Sequence, residues 1–249
     1  MQAPSAMHPS WLKSGAPLHE RVIAAHLFGA ISLWGLAATA RAVLGLGRWY
    51  PSKALTLFAI GTVLCVRFLG SYHPFARYGP GNCVTLIGSM LVALVAGLIG
   101  ETTLPTVAAL AAAVSLVVAA LDGVDGWLAR RSGMTSTFGA RFDVETDSAL
   151  VFALSVLAWQ HGKAGGWVVL GGLLRYAFVA AGRLLPWMSG PLRPTLRAKT
   201  VAVVQMGALS FALVPMVGVP LSTTVTAIAL AALIWSFALD VGRLWRSGA

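Results

Sequence analysis

Eight apolar segments dominate this sequence, and each is close to the roughly 20 residues that a helix needs to cross a bilayer. Hydrophobic residues make up 57% of the chain and charged residues 10%, with a mean hydropathy of +0.79. Soluble domains carry about 25% charged residues. The segments are approximately Val22–Leu46, Ala54–Gly70, Asn82–Gly100, Thr103–Leu128, Gly139–Gln160, Trp167–Leu185, Thr200–Val217 and Thr223–Leu244. We therefore predict an all-α, polytopic membrane helix bundle with about eight transmembrane helices.

Basic residues between the segments indicate the orientation of the chain. If the helices alternate in direction, one side carries Lys13, Arg21, Arg77, Arg130, Arg131, Arg193, Arg197, Lys199, Arg243 and Arg246. The other side receives only Arg48, Lys53 and Lys163, together with Glu101. Since positive loops remain inside, we expect the first side and both termini to be cytoplasmic. The basic residues are scattered rather than clustered, which argues against nucleic-acid binding.

Four of the chain's 8 acidic residues lie close together between apolar flanks, at Asp122, Asp125, Asp143 and Asp147. The first two end the fourth segment and the last two begin the fifth, at spacings that place each pair on one helix face. The short turn between the segments predicts antiparallel neighbouring helices. All four carboxylates would then converge at the cytoplasmic end of the bundle.

A carboxylate inside a membrane protein costs roughly 2.5–3.5 kcal/mol on insertion scales, so a bound cation is the simplest compensation. Carboxylate oxygens suit one or two Mg²⁺ or Mn²⁺ ions, which also bind substrate phosphates. Gly126 and Ala129 are small enough to let a substrate approach the helix. Neutral aspartate pairs, or counter-ions to Arg130 and Arg141, are the structural alternative.

This segment resembles the signature of the CDP-alcohol phosphotransferases, D-x2-D-G-x2-A-R-x8-G-x3-D-x3-D. The eight fixed positions are occupied by Asp122, Asp125, Gly126, Ala129, Arg130, Gly139, Asp143 and Asp147. The resemblance implies a six-helix catalytic core, about residues 78–246. We accordingly divide the chain into residues 1–71, with a tail and two extra helices, and a catalytic domain at 72–249.

The resemblance also implies roles for these residues. Asp122, Asp125 and Asp143 would hold two metal ions, and Asp147 would be the general base that also contacts metal. Asn82 and Thr85 resemble the N-x-x-T segment that begins the first core helix near the nucleotide, although an Asn there is also an ordinary N-cap. The implied nucleotide-binding set is Asn82, Thr85, Asp122, Gly126, Ala129, Arg130 and Gly139.

Basic residues in the sixth segment and before the seventh are candidates for acceptor binding. Arg175 and Arg183 lie eight residues apart on roughly one helix face, with a spacing similar to that in phosphatidylglycerophosphate synthases. Tyr176 stands where those enzymes have Glu. The Lys199-Thr200 pair also looks like theirs, and Arg193 and Arg197 precede it. For Arg193 and Arg197, ordinary loop charge is an equal interpretation.

The resemblance implies a divalent-metal-dependent enzyme of phospholipid synthesis that releases CMP. We expect CDP-diacylglycerol as donor and a small polar alcohol as acceptor, with membrane lipids as surroundings. The Arg175, Arg183 and Lys199 set favours a phosphorylated acceptor such as glycerol 3-phosphate or an inositol phosphate. Gly88, where many bacterial phosphatidyltransferases carry Arg, favours instead a CDP-choline or CDP-ethanolamine phosphotransferase acting on a lipid alcohol.

Two hypotheses of other classes remain at this point: a divalent-cation transporter and a non-catalytic nucleotide-binding relative. The role of the first two apolar segments is also open. They would shape a lipid entrance, hold a homodimer, or anchor the chain.

Overall fold

The computed structural model describes residues 18–190 and 195–248, and these form eight α-helices without a β-strand. The helices are α1 (Leu18–Leu44), α2 (Tyr50–Tyr72), α3 (Pro80–Gly97), α4 (Pro105–Arg131), α5 (Thr137–Gln160), α6 (Val169–Leu184), α7 (Leu196–Ala212) and α8 (Val219–Gly248). Short 3₁₀ turns precede and follow α6, at Gly166–Val168 and Pro186–Ser189. The predicted all-α fold and helix count are confirmed.

Local sequence signals explain where several helices begin. Pro51, Pro80 and Pro105 lie in the first turns of α2, α3 and α4, where a missing N–H leaves no hydrogen bond unmade. The hydroxyls of Ser136 and Thr195 cap α5 and α7 by accepting hydrogen bonds from the third residue beyond each. The helix starts are therefore encoded locally.

Six helices are long and apolar enough to cross a membrane: α1, α2, α3, α4, α6 with its preceding turn, and α8. The chain is an integral, multi-pass membrane protein. The helices α5 and α7 form as predicted but differ from the other six. Arg141, Asp143, Glu145 and Asp147 make the first half of α5 polar, and α7 is only 17 residues long.

The helix α3 lies between α4 and α5 and packs closely against both. A Cβ on Gly81 would lie 2.9 Å from the Asp125 carbonyl oxygen and 3.0 Å from the Ala129 Cβ. On the α5 side, a Cβ on Gly139 would lie 2.7 Å from Asn82 Oδ1. We expected α4 and α5 to be close antiparallel neighbours. Instead, both helices pack mainly on α3, which lies between them.

Polar contacts fix α2 to the rest of the bundle at both of its ends. At its start, Lys53 forms an ion pair with Glu101, and the Tyr50 hydroxyl donates to the Leu94 carbonyl at 3.0 Å. At its other end, the Thr137 hydroxyl of α5 donates to the Tyr72 carbonyl at 3.1 Å. These contacts make α2 an integral part of the bundle.

Replacement of Gly172 by Ala tests the packing of α6 on α5. A Cβ on Gly172 would lie 2.5 Å from the Phe152 Cα, whereas a Cβ on the exposed Gly207 of α7 would meet nothing within 4 Å. Ala favours a helix by about 1 kcal/mol over Gly. We expect Gly207→Ala to preserve or raise the melting temperature, and Gly172→Ala to destabilise the fold by about 1–3 kcal/mol through overpacking.

Circular dichroism of the two variants during heating in detergent provides the measurement. Equal melting temperatures for the two variants would contradict the close packing of α6 on α5.

Candidate active site

Three of the four signature aspartates meet at one end of the bundle. Carboxylate oxygens of Asp122 on α4, and of Asp143 and Asp147 on α5, all lie within 4.8 Å of one another. Asp125 lines the same small cavity, which is also bordered by Thr85, Gly88 and Thr146. Although α3 separates α4 and α5, the acidic residues of both helices therefore line the same cavity.

Asp125 is the most buried of the four aspartates, with 6% of its surface exposed. The Thr85 hydroxyl of α3 donates a hydrogen bond to Asp125 Oδ2 at 2.7 Å. The same hydroxyl lies 3.2 Å from the Gly81 carbonyl one turn earlier. Thr85, predicted to contact a nucleotide, therefore orients one of the acidic side chains in this structure.

The small and polar residues around the aspartates contribute to helix packing. Asn82 donates to the Tyr78 carbonyl and is not the N-cap of α3, which is Gly79. Gly139 packs against the Asn82 amide, and Ala129 packs against Gly81. The Arg130 guanidinium covers Gly126, with Nη1 3.2 Å from the place of a Cβ. Nucleotide contacts by these residues remain a prediction.

The acidic cluster fits a hard divalent cation. Ligand oxygens lie about 2.0–2.6 Å from Mg²⁺ or Ca²⁺, so two ligands of one ion lie within about 5 Å of each other. The three clustered carboxylates meet that condition, and their all-oxygen donor set suits Mg²⁺ or Mn²⁺. Without a cation, three like charges at this separation repel one another.

The predicted acceptor-binding residues lie in different surroundings. Lys199 is exposed near the start of α7 and interacts electrostatically with Asp125 and Asp147. Arg175 forms an ion pair with Glu145. Arg197 pairs with Asp240 of α8. Arg193 lies outside the described residues.

Arg183 lines a cavity of about 1070 Å³ that sequence reasoning missed. Residues of α2, α3, α5 and α6 form most of its walls, His26 of α1 also lines it, and most of the lining residues are apolar. Thr146 borders both this groove and the small aspartate cavity. A large apolar groove therefore runs beside the acidic cluster, and we call it the lipid-facing groove.

These features define an integral membrane protein with a carboxylate site suited to divalent cations and phosphate groups. The family model for CDP-alcohol phosphatidyltransferase matches residues 79–236, and the chain belongs to that family. The matched region begins at the N-cap of α3 and contains all four aspartates. The helices α1 and α2 precede it. No solved structure is significantly similar to this chain.

Replacement of Asp143 by Asn tests the metal site without an activity assay. In EDTA, we expect Asp143→Asn to melt at a higher temperature than the unmodified protein, because one of three repelling charges is removed. We also expect loss of the stabilisation that Mn²⁺ gives to the unmodified protein. The matched control is Glu145→Gln, which removes a carboxylate on the same helix that faces Arg175. A Mn²⁺-induced shift that survives in Asp143→Asn would exclude Asp143 as a ligand.

Proposed function

We propose that this protein transfers a phosphatidyl group from CDP-diacylglycerol to a small polar alcohol and releases CMP. Membership of the CDP-alcohol phosphatidyltransferase family supports a CDP-linked donor and an alcohol acceptor. The observation that carries the donor assignment is the lipid-facing groove, which meets the aspartate cavity at Thr146. A donor with its lipid and its pyrophosphate in one molecule would occupy both spaces.

The four aspartates have distinct roles in this proposal. Asp122, Asp125 and Asp143 would hold two Mg²⁺ or Mn²⁺ ions, whose positive charge would neutralise the donor pyrophosphate. Asp147 lies beside them and accepts the proton of the attacking acceptor hydroxyl. Thr85 keeps the Asp125 carboxylate turned toward the cavity by its hydrogen bond of 2.7 Å.

Charge supports a cytoplasmic location for this reaction. The acidic cluster lies at the end of the bundle where α4 ends with Arg130 and Arg131. The exposed Arg183 and Lys199 lie at the C-terminal end of α6 and the start of α7, and so at the same end by chain direction. The positive-inside rule favours this end, and with it both termini, on the cytoplasmic side.

A lipid alcohol acceptor with CDP-choline or CDP-ethanolamine is the second candidate. Gly88 favours it, because many bacterial phosphatidyltransferases carry Arg at this position, which here lines the aspartate cavity. The lipid-facing groove would then hold the acceptor. A cation transporter is disfavoured by the apolar core of Leu98, Leu150, Leu154 and Leu157 toward the opposite end of the bundle.

Lys199 is the best-placed residue for a phosphorylated acceptor. Lys199 interacts electrostatically with Asp125 and Asp147, whereas Arg175 and Arg197 are neutralised by Glu145 and Asp240. We expect Lys199→Gln to raise KM for glycerol 3-phosphate about tenfold, the effect of one lost charge-assisted hydrogen bond. Steady-state kinetics at saturating donor measure this. Arg175→Gln is the control, and an equal effect there would point to general loss of positive charge.

Release of CMP by purified protein in lipid micelles with Mn²⁺ tests the proposed function. CDP-diacylglycerol and CDP-choline would be supplied separately, each with a pool of acceptors. We expect CMP only with CDP-diacylglycerol, none with Asp143→Asn, and a loss of about 10²–10⁴ in kcat with Asp147→Asn. CMP with CDP-choline alone would establish the second candidate. Unchanged turnover by Asp147→Asn would remove it as the base.

A further inference from the structure

The outer wall of the lipid-facing groove is α2, a helix outside the family-matched region. Ile60, Gly61 and Leu64 in the middle of α2 line the groove, and all three are exposed. Hydrogen bonds and an ion pair hold α2 to α3 and α5 beyond both ends of this stretch. The wall is therefore fixed in place rather than loosely attached.

Apart from His26 of α1 and Trp49, the remaining walls belong to the family-matched region. Val92 and Ala93 of α3, Phe142 and Phe152 of α5, and Val179 of α6 line the groove opposite α2. Thr146 connects this space to the aspartate cavity. The groove is thus a joint product of the family core and the preceding helix pair.

Two arginines lie at the cytoplasmic end of the groove. Arg141 stacks over the rings of Phe68 and Tyr72 of α2, with its guanidinium carbon 5.6 and 5.3 Å from the ring centroids. Arg183 lines the groove from the last turn of α6. Neither arginine forms an ion pair with an acidic residue in the described parts of the chain. This end suits an anionic group attached to an apolar tail.

The dimensions of the groove suit long acyl chains. The lining residues of α2 extend from Ser52 to Tyr72, which corresponds to about 30 Å of helix. The hydrocarbon core of a bilayer is about 30 Å thick. The cavity of about 1070 Å³ is also at the upper limit of small-molecule pockets, which hold roughly 300–1,000 Å³.

We propose that this groove binds the acyl chains of the CDP-diacylglycerol donor, and that α2 selects which chains fit. The inference rests on the proposed function and deepens it. It assigns α1 and α2 to lipid selection rather than to anchoring or dimerisation. The acyl chains follow α2 through the membrane, and the donor phosphates lie between Arg141, Arg183 and the aspartates.

Gly61 offers a way to fill the groove without disturbing the fold. A Cβ on Gly61 would meet nothing within 4 Å, so a phenylalanine ring there has room to enter the groove. Gly35 of α1 is the matched control. It is also an exposed helical glycine with open space around a Cβ, but it does not line the groove.

The experiment compares Gly61→Phe and Gly35→Phe with dioleoyl and dihexanoyl CDP-diacylglycerol in the CMP-release assay. For Gly61→Phe we expect the ratio of kcat/KM for the long-chain donor over the short-chain donor to fall about tenfold, since a few methylene groups lose their site. For Gly35→Phe we expect the same ratio of kcat/KM values as for the unmodified protein. Equal ratios in all three proteins would overturn the inference while leaving the proposed function intact.

Native mass spectrometry in EDTA separates failure of the inference from failure of the proposed function. Without turnover, we expect the unmodified protein and Gly35→Phe to retain dioleoyl CDP-diacylglycerol, and Gly61→Phe to lose it. This pattern without CMP release by any variant would support the groove and remove the proposed reaction. If the protein retained diacylglycerol in preference to CDP-diacylglycerol, the proposal that the donor occupies the groove would be wrong.

Discussion

Mutual repulsion among carboxylates is the constraint on which this structure depends. The three clustered carboxylates lie within 4.8 Å of one another, and two unit charges at that distance repel by roughly 3.5 kcal/mol at an effective dielectric constant of about 20. The helix α3 opposes this repulsion by packing tightly on both acidic helices, with Gly81 against Ala129 and Asn82 against Gly139. The small residues of the signature are therefore as necessary as the acidic ones, because a larger side chain would push the two acidic helices apart.

Much of the fold and the acidic site was predictable from the sequence. Apolar length gave the helices, since a bilayer imposes a minimum length that few sequences reach by chance. Prolines and capping hydroxyls at the starts of α2, α3, α4, α5 and α7 are further local signals. The aspartates followed from helical spacing, because residues three or four apart share a face.

The remaining features depend on tertiary contacts that periodicity does not reveal. In a sequence, apolar side chains that line a groove cannot be distinguished from those that face lipid. The groove wall formed by Ile60 and Leu64 could therefore not be predicted. The central position of α3 was likewise hidden, because a short turn between α4 and α5 suggested that those two helices pair directly. For Arg197 the sequence left phosphate binding and ordinary loop charge as equal interpretations, and its actual partner Asp240 is 43 residues away.

The groove is lined by side chains that are exposed on the surface of candidate membrane-spanning helices, including Ile60, Leu64 and Val179. A lipid entering from the bilayer need not transfer its tails to water, which would cost about 0.8 kcal/mol for each methylene group. The reaction rate would therefore depend on the fraction of membrane lipid molecules that are substrate. This fraction is a two-dimensional concentration. Dilution of the substrate with inert lipid would slow the reaction even at a constant amount per volume, so membrane composition itself becomes a regulator.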